Sequence, residues 1–189
     1  MAGGVWTVQN KVRPGVYINF KSEAQPLGSL GERGIVSLPL ALSWGPAKQV
    51  IALEAGADMM HELGYPITAP QLLLVREALK RAVTVLVYRL NAGTKATAVI
   101  GDLIATARYG GVRGNDITVA VQINIDDPNL YDVKTFVDGR EVDSQTVAEI
   151  GDLAANDWVE WSGSGTPTTT AGTPLTGGAD GAVTAQDYL

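Results

Sequence analysis

Between Val12 and Phe20 the chain alternates apolar and polar positions. Val16, Ile18 and Phe20 fall on one side of an extended segment, with Tyr17 and Asn19 on the other. Pro14 fixes its own φ and pushes Arg13 towards extended conformations. No turn follows that would fold this strand into a hairpin, because residues 21–25 are a loose polar stretch. A solitary strand needs an edge to pair with, and that edge belongs either to the chain's own sheet or to another subunit. Further on, residues 35–44 read as a strand whose Pro39 points to a sheet edge or a bulge, ended by the turn residues Gly45 and Pro46. Residues 49–53 predict a short strand, and 57–63 a short helix stopped by Gly64. The clearest helix is 71–82, with Leu72, Val75, Leu79 and Ala82 at helical spacing, Pro70 in the first turn and Thr68 as N-cap. The β-branched run 83–90 follows as a buried strand, so the order strand, helix, strand predicts a right-handed crossover.

After Asn91 the texture changes to short β-prone runs separated by turns: 97–100, 103–109, 117–125, 131–137, 141–147 and 157–162. Asp138-Gly139 is a hairpin signal, and 147–154 predicts a short helix. Residues 162–178, dense in Gly, Thr and Pro, read as a flexible loop or linker, and 183–189 as the first turn of a helix capped by Thr184. A helix that starts there cannot bury its apolar face by Leu189, so a truncated protein is expected. The predicted class is α+β: an extended N-terminal arm over 1–22, part of an α/β sheet-and-helix domain over 23–92, and an inserted small all-β sandwich or barrel over 93–178.

Composition narrows the chemistry. With 14 basic and 20 acidic residues the net charge is −6, which argues against a nucleic-acid partner that depends on clustered Lys and Arg. The absence of cysteine excludes disulfides and thiolate metal ligands. No apolar run approaches the roughly 20 residues of a membrane-spanning helix, and no secretory signature follows Met1. The run Gly110-Gly111-Val112-Arg113-Gly114-Asn115-Asp116 has the glycines of a phosphate loop. It is followed by strand residues rather than a helix, however, and reads as a tight turn. His61 is the single histidine and reads as a partly buried helix residue or a partner of the helix C-terminus. Asp126, Asp127, Asp132, Asp138, Asp143 and Asp152 fall mainly in predicted loops, where turn-forming roles are commonest, though a hydrolase pair is defined only in space. Trp158 and Trp161 suit core packing, or alternatively a sugar platform in a carbohydrate-binding or adhesion module. No catalytic, cofactor or metal constellation emerges.

Several stretches, in order, resemble the tail sheath proteins of contractile bacteriophages, most closely those of phages, defective prophages and phage-tail-like bacteriocins of Gram-positive bacteria. They are Arg13-Pro14-Gly15-Val16-Tyr17-Ile18, then Gly34-Ile35-Val36-Ser37-Leu38-Pro39-Leu40 running into Ser43-Trp44-Gly45-Pro46, then Arg113-Gly114-Asn115-Asp116-Ile117-Thr118-Val119 and Leu175-Thr176-Gly177-Gly178-Ala179-Asp180-Gly181. The resemblance implies a non-enzymatic structural subunit, without cofactors, in hexameric rings stacked helically around a tail tube. Its implied partners are other sheath subunits, the tube protein, and the baseplate and tail terminator proteins, with no nucleic acid and no membrane insertion. Its implied place is a virion tail or phage-tail-like particle assembled in the host cytoplasm. Val12, Pro14, Val16, Tyr17, Ile18 and Phe20 would form an arm donated to a neighbouring subunit. Residues 179–189 would begin a C-terminal core domain that the chain does not carry further.

Overall fold

The β-branched run after Ala82 forms β3 (Thr84–Arg89), the middle strand of a three-stranded sheet in the computed structural model, which describes residues 34–188. On one edge lies β1 (Ile35–Leu40), parallel to β3; the crossover expected from the strand–helix–strand order therefore runs from β1 and not from the strand Val50–Glu54 directly before the helices. On the other edge lies β2 (Val50–Glu54), antiparallel to β3. Two short helices, α1 (Met59–Leu63) and α2 (Leu73–Leu79), cover one face of the sheet. Ile51 and Leu53 of β2 and Val85 and Val87 of β3 meet Met59, Leu63, Leu72 and Val75 there in a closed apolar cluster. Each fully buried aliphatic side chain in it contributes about 1.5–3 kcal/mol.

Local chemistry explains the helix ends. Asp58 caps α1, its carboxylate accepting from the backbone N–H groups of Met60 (3.0 Å) and His61 (3.3 Å). Gly64 stops α1 at φ 77°, and a Cβ there would lie 2.5 Å from Cγ of the Trp44 indole. The expected helix 71–82 is shorter and begins differently. A 3₁₀ turn over Pro70–Leu72 precedes α2, and Ala69 rather than Thr68 stands at the N-cap, without a side-chain bond. Thr68 instead presents its carbonyl oxygen to Arg76 Nη1 (3.1 Å), so the first turn is held from the helix body.

The second half is a β-sandwich. One sheet has the order β10-β6-β7-β8, built from β6 (Ile117–Ile123), β7 (Tyr131–Val137), β8 (Arg140–Val147) and β10 (Thr170–Pro174). The other has the order β4-β5-β9, from β4 (Thr97–Ile100), β5 (Leu103–Ala107) and β9 (Val159–Ser162). Alternate residues face inwards, with Ile117, Val119 and Val121 of β6 and Val133 and Val137 of β7 set against Leu103, Ala105 and Ala107 of β5. The Asp138-Gly139 hairpin is present, with positive φ at both residues (53° and 73°), the signature of a type I′ turn. Val142 is the extra residue of a bulge that shifts the β7–β8 register after Thr135.

The stretch 162–178 corrects the expectation of a flexible linker. Thr170–Pro174 is an irregular edge strand against β6, where a proline is tolerated. Leu175 is fully buried and donates to Ile117 O (2.9 Å), and Thr176 then pairs with Thr97, so this segment passes from the edge of one sheet to the edge of the other. Between 147 and 154 only a 3₁₀ turn (Ile150–Asp152) forms, in place of the expected helix. A second 3₁₀ turn (Ala185–Tyr188) follows Thr184, whose N–H and hydroxyl both donate to Asp187 Oδ2 at 2.8 and 2.9 Å.

Candidate functional site

The six expected arm residues, Val12, Pro14, Val16, Tyr17, Ile18 and Phe20, lie outside the described residues. Within the described part, the polar side chains that organise the molecule gather where the three-stranded sheet meets the sandwich. Two buried arginines hold this junction. Arg89, the last residue of β3, is on the inward side by the same alternation that buries Val85 and Val87. Its Nη1 donates to Gly45 O and its Nη2 to Gly110 O, both at 2.6 Å, so one guanidinium joins the turn after β1 to the loop after β5. Burial lowers its pKa, with Asp180 and Tyr65 opposing that effect.

Arg113 occupies the 3₁₀ turn Val112–Asp116 with its side chain only 4% exposed. Nε donates to Gly64 O (2.8 Å), capping the end of α1. The Nη atoms donate to both Asp138 oxygens (2.8 and 2.6 Å), and Nη1 also to Asp116 Oδ2 (2.9 Å). The guanidinium stands 4.6 Å from the Tyr65 ring centroid. One side chain thus ties the helix layer to the β7–β8 hairpin. Burial works against the Arg113 cation, but its bonds to Asp138 and Asp116 outweigh that and raise its pKa. The bond from Arg113 correspondingly holds Asp138 below the usual carboxylate range.

Further bonds close the junction. Asn91 Oδ1 accepts from Leu42 N (2.8 Å), and Asp180 accepts from Ser43 Oγ (2.8 Å) and Val112 N (3.0 Å). Asn115 exchanges two bonds with the backbone of Gly178, at 2.9 and 2.8 Å. Three passes of the chain meet here closely. A Cβ on Gly111, at φ 138°, would run into Ser43 O. Trp44 enters the sandwich core, stacked on Trp158 (4.8 Å between centroids) and edge-on to Tyr109 (5.4 Å).

The other candidates are placed by these packing roles. Trp158 is 6% exposed in the core and Trp161 is half-buried against it, so the two indoles offer no shared open platform. His61 is half exposed, with Nδ1 3.3 Å from Glu62 Oε1 and Nε2 3.3 Å from Asp157 Oδ1. Partial burial lowers its pKa, but Asp157 and Glu62 prevail and raise it. Asp132 accepts from Thr146 (2.6 Å) and Asn124 (2.9 Å), and Asp143 from Gln145 and Asn156 (both 2.8 Å). Among the described residues no three His, Asp or Glu side chains converge as metal ligands. The loop 110–116 is a turn, as read from the sequence. What that reading missed is that its arginine anchors two layers, since nothing in its spacing distinguishes Arg113 from a surface cation.

Two sequence models match consecutive parts of the chain: the tail sheath protein Gp18 domain III N-terminal region over residues 33–90, and the phage tail sheath protein beta-sandwich domain over residues 91–180. The chain belongs to the phage tail sheath family. The two sheath models meet between Leu90 and Asn91, at the junction itself. This sheath chain is 46% identical over 179 residues to the phage-like element PBSX protein XkdK of Bacillus subtilis, an alignment covering 94% of the chain and 38% of the relative. The crystal structure of the sheath tail protein from Desulfitobacterium hafniense superposes with a TM-score of 0.81 at 61% identity, over 92% of this chain and 41% of that one. The sheath tail protein from Listeria innocua gives a TM-score of 0.78 at 43% identity, over 84% and 37%. The chain therefore spans about two fifths of the length of the relatives it matches.

Proposed function

We propose that this chain is the N-terminal part of a structural subunit of a contractile tail sheath, which polymerises helically around a tail tube and shortens to drive the tube through a host envelope. The observation that carries this reading is the pair of consecutive sheath models over residues 33–180, together with the superposition on a crystallised sheath tail protein over 92% of the chain. Its partners are further sheath subunits in stacked hexameric rings, the tube protein, and the baseplate and terminator proteins, in a phage tail or phage-tail-like particle assembled in the host cytoplasm. Residues 1–22 act as the arm, with Val12, Pro14, Val16, Tyr17, Ile18 and Phe20 in the donated strand. Residues 23–92 and 93–178 are the α/β and sandwich domains, and 179–189 lead into the C-terminal core.

The physics of such a polymer fits these parts. Contacts between different patches of identical subunits do not close on themselves and extend into helices. A donated strand contributes main-chain hydrogen bonds worth about 1 kcal/mol net each, so many together hold a mesh while rigid bodies turn. Twenty extended residues reach at most roughly 66 Å, enough to meet an adjacent copy. Negative-stain microscopy of the full-length gene product, with and without residues 1–20, tests the reading. Tubes are expected from the complete protein and none after arm removal. Unchanged tubes without the arm would remove strand donation from the proposal, and a product that never assembles would remove the sheath role.

A further inference from the structure

His61 stands between two carboxylates that belong to different layers. Its Nδ1 lies 3.3 Å from Glu62 Oε1 on α1, and its Nε2 lies 3.3 Å from Asp157 Oδ1, in the loop that leads into β9. An ionised carboxylate only accepts hydrogen bonds, and a neutral imidazole has one N–H and one bare nitrogen. Neutral His61 would therefore turn a lone pair towards one of the two carboxylates. The imidazolium, with an N–H at both nitrogens, satisfies both contacts at once.

Charges from every packed element face the ring. Asp58, the cap of α1, is occupied by the amides of Met60 and His61. Arg140 and Glu141 of β8 line the same groove with opposite signs, and Glu141 pairs with Lys134 at 3.2 Å. Arg108, just after β5, donates to Asp157 Oδ1 at 3.3 Å and to Asn156 O at 3.2 Å. Asp157 thus keeps a cationic partner inside the sandwich whatever the state of His61, and the imidazolium adds a second one from the helix layer. The side chains are 50% exposed for His61 and 57% for Asp157, so protons reach the pair freely and solvent keeps the tie weak. Asp157 is followed directly by Trp158, whose indole stacks on Trp44 and whose N–H donates to Asn156 Oδ1 at 2.9 Å. A tie from α1 to Asp157 therefore steadies the entry to β9, beside the aromatic contact of the junction.

We propose that His61 is a proton-dependent strap between α1 and the sandwich, closed when the imidazole is charged and open when it is neutral. Arg89 and Arg113 hold the junction across the neutral range, so the strap governs only its rim, the loop 153–158. Partial burial works against the His61 cation, but Asp157 and Glu62 outweigh it and raise its pKa. The strap is then fully closed below the ordinary histidine value, near 6.5, and opens as pH rises through the higher folded value. It is a property of one chain and does not depend on polymerisation or contraction.

Because the chain has a single histidine, its ring signals in a nuclear magnetic resonance titration need no assignment. The midpoint is expected above the ordinary value and is expected to fall in Asp157→Asn. Hydrogen exchange at the Trp158 amide, corrected for the intrinsic effect of pH, reads the strap itself. Protection is expected to be about threefold higher at pH 6 than at pH 8, as suits an exposed pair, and His61→Gln should abolish the difference. A midpoint at or below the ordinary value would overturn the proposal. A raised midpoint that Asp157→Asn leaves unchanged would assign the proton to Glu62 alone and remove the link to the sandwich. Trp158 protection that stays constant with pH, while the midpoint responds to Asp157, would show a bound proton that ties nothing and would equally overturn the strap.

Discussion

Arg113 is buried but its partner Asp138 is half exposed, so the pair is only partly desolvated. Arg113 also keeps Asp116 and Gly64 O, so Asp138→Asn is expected to cost about 1 kcal/mol in urea unfolding at neutral pH. The pH dependence has a definite sign. Arg113 depresses the Asp138 pKa in the folded state, so its contribution is fully present above the carboxylate's unfolded value, near 4. It is lost as pH falls through the lower folded value, where the carboxyl protonates in both states. The native chain should therefore lose stability more steeply than Asp138→Asn as pH drops below 4, and parallel acid limbs for the two proteins would contradict this. Arg89→Met should remove the bridge between Gly45 O and Gly110 O and leave both carbonyls without that donor, costing about 2–4 kcal/mol. Of these residues, only Arg89 was open to the sequence, because period-two alternation in β3 puts it beside Val85 and Val87. Arg113 was not, because its partners come from α1 and from a hairpin 25 residues away.

Elements with strong periodicity were legible: β3, β6, β7 and the Asp138-Gly139 hairpin stand where their β-branched runs and turn residues put them. The failures share a cause. Residues 170–174 carry turn-prone Thr, Gly and Pro, but an edge strand needs only one apolar anchor and a neighbour, and Leu175 and β6 supply both. Leu175→Ala is accordingly expected to cost 2–4 kcal/mol in thermal or urea unfolding. A change of a few tenths of a kcal/mol would instead restore the linker reading. Helix α2 starts late because Pro70 and the uncapped Ala69 favour a tight 3₁₀ turn over a full α-helical start. At the end of α1, Gly64→Ala combines a left-handed backbone with a collision against Trp44, and more than 1 kcal/mol of destabilisation is expected from denaturant unfolding.

At the scale of the whole molecule, the two apolar cores share one polar junction. Arg89, Arg113, Asn91, Asn115 and Asp180 all bridge segments far apart in sequence, and Trp44 leaves the sheet layer to pack inside the sandwich. The sandwich is therefore expected to move with the sheet rather than hinge on it. Unfolding followed by tryptophan fluorescence, which reports mainly the sandwich core, and by far-ultraviolet circular dichroism should give coincident transitions; a separation of the midpoints would mean that the layers open independently. In the proposed sheath, such a rigid unit would leave large rearrangements to the surfaces between copies, where donated strands would stay paired as subunits rotate. The proposed strand exchange rests on the alternating pattern of Val16, Ile18 and Phe20, which lie outside the described residues. A helical cryo-microscopy reconstruction of tubes assembled from the full-length protein tests it most directly. Strand exchange predicts continuous density for residues 12–20 hydrogen-bonded to a sheet of a different copy, and the same residues paired within their own subunit would contradict it.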